Sequence, residues 1–262
     1  MYYLKRVILC PEKGESKVIG DVHDREQREE TLWITDSSAK ASQLQDAGKA
    51  VLVWLHGENR DQDFSRFRYA CDNPHALDMD YLEGVYRRHK GIPWDILETE
   101  RCLIRETTVE DVEDFYRIYS EPSITKYMES LYEDPEEERA YARDYIDKVY
   151  SFYGFGIWTV VDKAHNAVIG RAGLCYREGY DDPELGFVIA AHEQGKGYAA
   201  EVCRAIVQYG HEELGFERIL AFVQPDNRAS VKVCAKLGMN CRKQTKINGM
   251  IYDIWCHEVD LT

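Results

Sequence analysis

The apolar positions of the C-terminal half change period in a fixed order. Glu184–Ala190 is a nearly unbroken apolar block with β-branched Val188 and Ile189, too short to prefer a helix, and it predicts a buried strand. Gly195 and Gly197 follow. Then Tyr198, Val202, Ala205, Ile206 and Tyr209 recur at spacings of four, seven, eight and eleven, which is one face of a helix. Phe216–Val223 reads as a further strand and Pro225-Asp226-Asn227 as a turn and helix cap. The next helix carries Ser230, Val233, Cys234 and Leu237, and Gly238 stands at its C-terminal stop.

The N-terminal part alternates more evenly. Lys17–Val22 and Thr31–Asp36 read as strands, Ser38–Ala47 as a helix ending at Gly48, and Ala50–Leu55 as a buried strand. Phe67–Ala70 predicts a short strand and Leu77–Arg88 a helix. Strands alternating with helices predict a small α/β layer with parallel strands.

A strand, a glycine loop and a helix N-terminus together make an anion cradle. The first amides of a helix have no intrahelical acceptor, and the helix dipole adds partial positive charge there. Gly195 and Gly197 let backbone amides approach an anion, and Lys196 adds a point charge. The loop is not a P-loop, because Gly-x-x-x-x-Gly-Lys-Ser/Thr is absent, and not a dinucleotide fingerprint, because Ala200 stands where a third glycine is needed.

Gln194-x-x-Gly197-x-Ala199, with Asn227-x-x-Ser230 and Lys236-Leu237-Gly238 downstream, resembles the GNAT superfamily of acetyl-CoA-dependent N-acetyltransferases. The branch it looks most like contains the ribosomal-protein N-alpha-acetyltransferases. Glu100–Glu106 looks like the family's opening strand, Glu110–Phe115 like its first helix, and Gly156–Val161 and Val168–Leu174 like its next two strands. The resemblance covers residues 98–262 and implies an α+β fold with a mixed, mostly antiparallel central sheet flanked by helices. Residues 1–97 form a smaller α/β domain, joined through Gly91–Trp94, where Pro93 disfavours helix in the residue before it. That domain loosely resembles a degenerate haloacid-dehalogenase-like layer. Asp36 is followed by Ser37 and Ser38, so the family's paired aspartates are missing, and Asp21-Val22-His23-Asp24 is no substitute.

Formal net charge is −14, and both halves are acidic: 19 acids against 14 Lys and Arg in residues 1–100, and 28 against 19 in the remainder. Such a surface repels nucleic acid and suits amines or basic peptides, or serves solubility alone. Glu133–Glu138 reads as a helix start on a solvated face, with Asp134 as cap and Pro135 at the first helical position. No apolar run reaches membrane-span length, and the first ten residues lack a signal-peptide pattern. The eight cysteines are scattered, which predicts reduced thiols in a cytoplasmic protein and no metal site. A homodimer is left open.

The resemblance implies acetyl-CoA as co-substrate and an amine acceptor of unspecified identity. Cofactor contacts are expected from Phe187, Val188, Ile189, Gln194, Gly195, Lys196, Gly197, Tyr198, Ala199, Asn227 and Ser230. The oxyanion donor is expected to be a backbone N–H near Ile189. Glu184 is the candidate proton acceptor, or else a strand-entrance glutamate paired with a surface base. Ser230 is the candidate donor to the leaving thiolate, or else a helix-capping residue. Cys234 stands where many members carry a tyrosine, and reads as a small buried residue. His192 is expected at the rim and His211 at the surface. Trp158 and the group Tyr150, Phe152, Tyr153, Phe155 are expected to pack the core or line the acceptor cleft, beside the loop Tyr176–Asp182. The leading expectation is an N-acetyltransferase. Its alternatives are a non-catalytic acetyl-CoA-binding or scaffold protein, and a phosphohydrolase acting through the N-terminal domain.

Overall fold

A computed structural model describes residues 3–21 and 30–259. The chain divides into two compact units between Trp94 and Asp95.

The first unit holds β1 (Arg6–Leu9), β2 (Lys17–Asp21), β3 (Thr31–Thr35), α1 (Ser38–Asp46), β4 (Ala50–Trp54), β5 (Ala70–Cys71) and α2 (Met79–Lys90). Its sheet runs β2-β1-β3-β4-β5, and every neighbouring pair is parallel except the antiparallel β1/β2. Helix α1 packs Ala41 on Val51 and Val53. On the opposite face α2 sets Leu82, Val85 and Tyr86 against Val7, Leu32, Ile34 and Leu52. Buried Glu83 on α2 accepts the amides of Tyr3 and Leu4 and pairs with Arg87 at 2.7 Å. The expected strand over Phe67–Ala70 is not formed, and only Ala70–Cys71 pairs. Phe67 and Tyr69 sit two apart yet join different clusters, which strand alternation forbids. The helix expected from Leu77 begins at Met79, and of the Asp21–Asp24 stretch, Val22, His23 and Asp24 lie outside the described residues.

The second unit contains β6 (Asp95–Glu98), β7 (Cys102–Arg105), α3 (Val112–Tyr119), α4 (Pro122–Thr125), α5 (Pro135–Asp144), α6 (Ser151–Tyr153), β8 (Ile157–Asp162), β9 (Ala167–Cys175), β10 (Glu184–Ile189), α7 (Tyr198–Glu212), β11 (Arg218–Val223), α8 (Arg228–Lys236), β12 (Asn240–Ile247) and β13 (Met250–Glu258). A π-helical stretch, Tyr145–Tyr150, joins α5 to α6. The eight strands run β12-β13-β11-β10-β9-β8-β7-β6, antiparallel throughout except between β10 and β11. This is the mixed, mostly antiparallel sheet that the sequence leads one to expect. Helices α7 and α8 bury Val202, Ile206, Cys234 and Leu237 on one face with Trp158, Ile169, Leu174 and Leu185. On the other face, Ile118 of α3 and Ile124 of α4 cover Val188 and Ala190.

Three expectations need correction. Glu138 does not face solvent: it is buried and accepts the Tyr132 amide at 3.1 Å, so the acidic run is solvated from Glu133 to Glu137 and turns inward at its last residue. The strand expected from Phe216 begins at Arg218, because the Phe216 amide instead bonds back to the Gly210 carbonyl. His211 is half-buried, with Nδ1 on the Phe216 carbonyl and Nε2 2.9 Å from His257. The β12/β13 hairpin turns on Asn248-Gly249, both at positive φ, the dipeptide that suits a two-residue hairpin loop.

Gly170 fixes how closely β9 approaches β10. A Cβ there would lie 2.2 Å from the Val188 carbonyl oxygen and 3.2 Å from Ile189 Cα, both backbone atoms of the strand alongside. Gly170→Ala is expected to lower stability by about 3 kcal/mol, read as a shift of the urea midpoint. A midpoint matching wild type would refute this account of the strand packing.

Candidate active site

The site grows out of β10 and the turn behind it. Strands β10 and β11 share a single ladder position, Glu184 opposite Leu220, with the Leu220 amide on the Pro183 carbonyl. Beyond it no ladder pair joins them among the described residues, so the sheet opens there. The Ala190 amide bonds to Ile169 on β9. Strand alternation therefore turns the N–H groups of Glu184, Gly186 and Val188 toward β9; the Leu185 N–H completes the one ladder pair with Leu220 of β11, and those of Phe187 and Ile189 face the opening. A sheet that splays at mid-strand exposes donors without side chains in the way.

The loop closes this opening at one end. The Gln194 side-chain amide donates to the Ile189 carbonyl at 2.9 Å, which ties the loop to the strand end. Gly195 and Gly197 have φ of +76° and +93°, conformations in which a Cβ is strained. Gly197 is the N-cap of α7 and has no side chain to cap it. The first α-helical bond into it runs from the Glu201 amide, so the amides of Tyr198, Ala199 and Ala200 lack intrahelical acceptors. Lys196 is exposed and pairs with Glu193 at 2.9 Å.

A brace that the sequence did not reveal holds this loop. Arg101 donates to the Lys196 carbonyl at 3.1 Å, pairs with Glu201 at 2.6 Å, and lies 4.1 Å from the Tyr198 ring centroid. Glu201 also accepts the Thr99 hydroxyl and the Arg101 amide. Burial pushes its pKa up, but the Thr99 hydroxyl and the Arg101 contacts outweigh it and hold the carboxyl below its usual range. A lowered folded pKa means the contribution to stability is present above the ordinary glutamate range and is lost as pH falls through the folded value.

Glu184 opens β10, nearly buried, with its side chain on the α3 face beside Gly186 and Val188. Arg177 grips it in a bidentate pair, Nε to Oε2 at 2.5 Å and Nη2 to Oε1 at 3.0 Å. Arg177 is itself held over the Phe222 ring, and hydrogen bonding to Glu184 raises its pKa. Asn227 caps α8 through Oδ1 on the Ser230 amide at 3.2 Å, which leaves its side-chain NH₂ and the Ser230 hydroxyl outside the cap. Cys234 is fully buried in the core, and burial pushes its thiol up to about 12. Tyr150, Phe155 and Trp158 are buried, whereas Phe152 and Tyr153 are exposed. With Tyr176, Tyr153 and Phe155 form a set of ring contacts at 5.5–5.8 Å. Among the described residues no group of three His, Cys, Asp or Glu side chains is placed to hold a metal ion.

An open sheet with free strand amides, running into an uncapped glycine-rich helix N-terminus, defines a site for an extended ligand that ends in phosphate. The acetyltransferase (GNAT) domain family matches residues 101–240. The uncharacterized N-acetyltransferase p20 of Bacillus licheniformis is 28% identical over 169 residues, covering 62% of this chain and 93% of that protein. A GNAT-family acetyltransferase from Bacillus anthracis has a solved structure that matches with a TM-score of 0.52 at 26% identity, covering 61% of this chain and 95% of its own. The structure of a ribosomal-protein-S5-alanine acetyltransferase from Vibrio fischeri matches with a TM-score of 0.55 at 19% identity, covering 63% and 97%. The chain belongs to the GNAT acetyltransferase family, and is an N-acetyltransferase that takes its acetyl group from acetyl-CoA. The residues present fit that donor, since the loop amides and positive-φ glycines leave room for a pyrophosphate against backbone.

Proposed function

We propose that the chain transfers the acetyl group to a primary amine by direct attack in a ternary complex, and that the acceptor is a peptide α-amino group in preference to a small-molecule amine. The observation that carries the catalytic reading is the β10/β11 opening, with strand amides facing it beside the uncapped N-terminus of α7. The thioester supplies an activated carbonyl, and attack by an amine puts negative charge on its oxygen.

Two amides are candidates for that charge. At about 3.3 Å per residue, the Phe187 N–H lies about 10 Å along the strand from Glu184 and the Ile189 N–H about 17 Å. The nearer one, Phe187, suits a proton path that ends on Glu184, and Ile189 then lies along the cofactor arm with Val188. Glu184 takes the amine proton through water. Arg177 uses one lone pair on each carboxylate oxygen, and about one per oxygen remains. The Ser230 hydroxyl, outside the helix cap, donates to the departing thiolate, and Asn227 contacts the cofactor arm through its NH₂. Gln194, Gly195, Lys196, Gly197, Tyr198 and Ala199 hold the pyrophosphate.

The exposed rings of Phe152, Tyr153 and Tyr176 support a peptide acceptor, because rigid aromatic surface suits side chains that follow an N-terminal residue. The likeness to a ribosomal-protein-S5-alanine acetyltransferase supports that reading. The test is CoA release with acetyl-CoA and a panel of peptides with varied N-termini, polyamines, amino acids and aminoglycosides, with a no-acceptor control for the chain's own thiols. Peptides are expected to give the highest kcat/KM. Turnover confined to small amines would overturn the acceptor class, and silence across the panel would overturn the transfer itself.

A further inference from the structure

We propose that the first unit carries a binding site of its own, for a small organic cation of the alkylammonium class, with the ammonium held between the Asp36 carboxylate and the face of Trp54. The site is a cleft of about 720 Å³ at the carboxyl ends of β1, β3 and β4, the position where open parallel sheets take their ligands. Asp36 follows the last residue of β3, Trp54 is the last of β4, and both line the cleft.

Its walls are built with fixed parts. Asn59, buried, donates from one NH₂ group to the Asp36 carbonyl at 2.9 Å and the Trp54 carbonyl at 2.8 Å, locking the two strand ends together. The Asp36 side chain is only 13% exposed. Its Oδ1 accepts the Glu12 amide at 2.5 Å, and its Oδ2 meets His56 Nε2 at 3.2 Å. The Glu58 amide donates to His56 Nδ1, which assigns the ring hydrogen to Nε2 and makes His56 a donor to Asp36. The carboxylate is thereby oriented by two donors and keeps one acceptor direction on each oxygen for a ligand.

Charge selects the class of ligand. Four carboxylates line the cleft, on Glu12, Glu15, Asp36 and Glu58, against two ammonium groups, on the exposed Lys13 and Lys17. The balance is two negative charges, which repels phosphates and dicarboxylates and favours a cation. Trp is the aromatic side chain that binds cations best, and Trp54 lines the same cleft as the carboxylate, its ring 4.8 Å from that of His56, which in turn meets Asp36. Among the described residues that line the cleft there is no serine, threonine or cysteine, so the Asp36–His56 pair has no side-chain hydroxyl or thiol to activate.

The test uses the full chain without acetyl-CoA, titrated calorimetrically with putrescine and with choline, whose quaternary nitrogen cannot be acetylated. AMP and L-glutamate are the anionic controls. Saturable millimolar or tighter binding of either cation is expected, weakened by added salt. Asp36→Asn keeps an oxygen for the Glu12 amide and should fold, yet should abolish binding. Trp54→Ala should weaken it about tenfold. Acetyl-CoA affinity should be unchanged in both variants. Absence of saturable cation binding, binding that survives both substitutions, or Asp36-dependent binding of AMP or glutamate would each overturn the proposal.

Discussion

Gly197→Asp is expected to eliminate measurable acetyl-CoA binding while the protein stays folded. Gly197 lies at φ +93°, and a Cβ there would come no nearer than 3.5 Å to Arg101 Nη2, so there is room for the side chain. The conformational strain amounts to about 1–3 kcal/mol. Aspartate is a strong N-cap residue, and its carboxylate would accept the amides of the first turn of α7, offsetting part of that strain. The same carboxylate then occupies the donors meant for the pyrophosphate and repels it. At about 4 Å and an effective dielectric near 20, that repulsion is on the order of 4 kcal/mol per charge pair, or roughly a thousandfold in affinity. Gly195→Ala is the contrasting case. Its Cβ meets nothing within 4 Å, so the loss reflects backbone strain alone and should be about tenfold. Calorimetric titration with acetyl-CoA, alongside a thermal melt, separates the two effects. Tight binding by Gly197→Asp would show that the pyrophosphate lies elsewhere.

What could be read from the sequence divides along the range of the interactions. The succession β10, loop, α7, β11, α8 was legible because each piece carries its own signal: a β-branched block, two glycines, a helical period, an asparagine cap. The partners that hold the site were not. Arg101 and Glu201 are a hundred residues apart, and only the meeting of β7 with the start of α7 brings them together. Arg177 lies just seven residues from Glu184, but its role depends on the loop folding back over Phe222. Phe67 and Tyr69 misled because alternation in a short window cannot be distinguished from two anchors of an irregular loop. Glu138 misled for a related reason. Neighbouring carboxylates look alike in sequence, and only the packing of α5 decides which one turns inward to accept the Tyr132 amide.

Glu184→Gln bears on the chemistry directly. At neutral pH most of an acceptor α-amine is protonated or near its pKa of about 7.7–8.0, and it must lose that proton before or during attack. A carboxylate that receives the proton through water contributes about a hundredfold in rate. The glutamine variant keeps the shape of the side chain but loses its basicity and one of the two acceptor oxygens that Arg177 uses, so kcat/KM at pH 7 should fall about a hundredfold. As pH rises above about 8 the amine deprotonates without help, and the deficit should narrow. Acetyl-CoA affinity should not change, because the anion loop is anchored on the Ile189 carbonyl and on Glu193, whereas Glu184 is held by Arg177. Loss of the Arg177 pair has its own modest effect on stability, since the guanidinium is 35% exposed and can rehydrate. That structural effect would lower activity equally at every pH. The two roles are therefore separated by the shape of the pH–rate profile and not by the size of the defect. A profile parallel to wild type would leave Glu184 as the anchor of Arg177, and the proton would then pass to solvent without it.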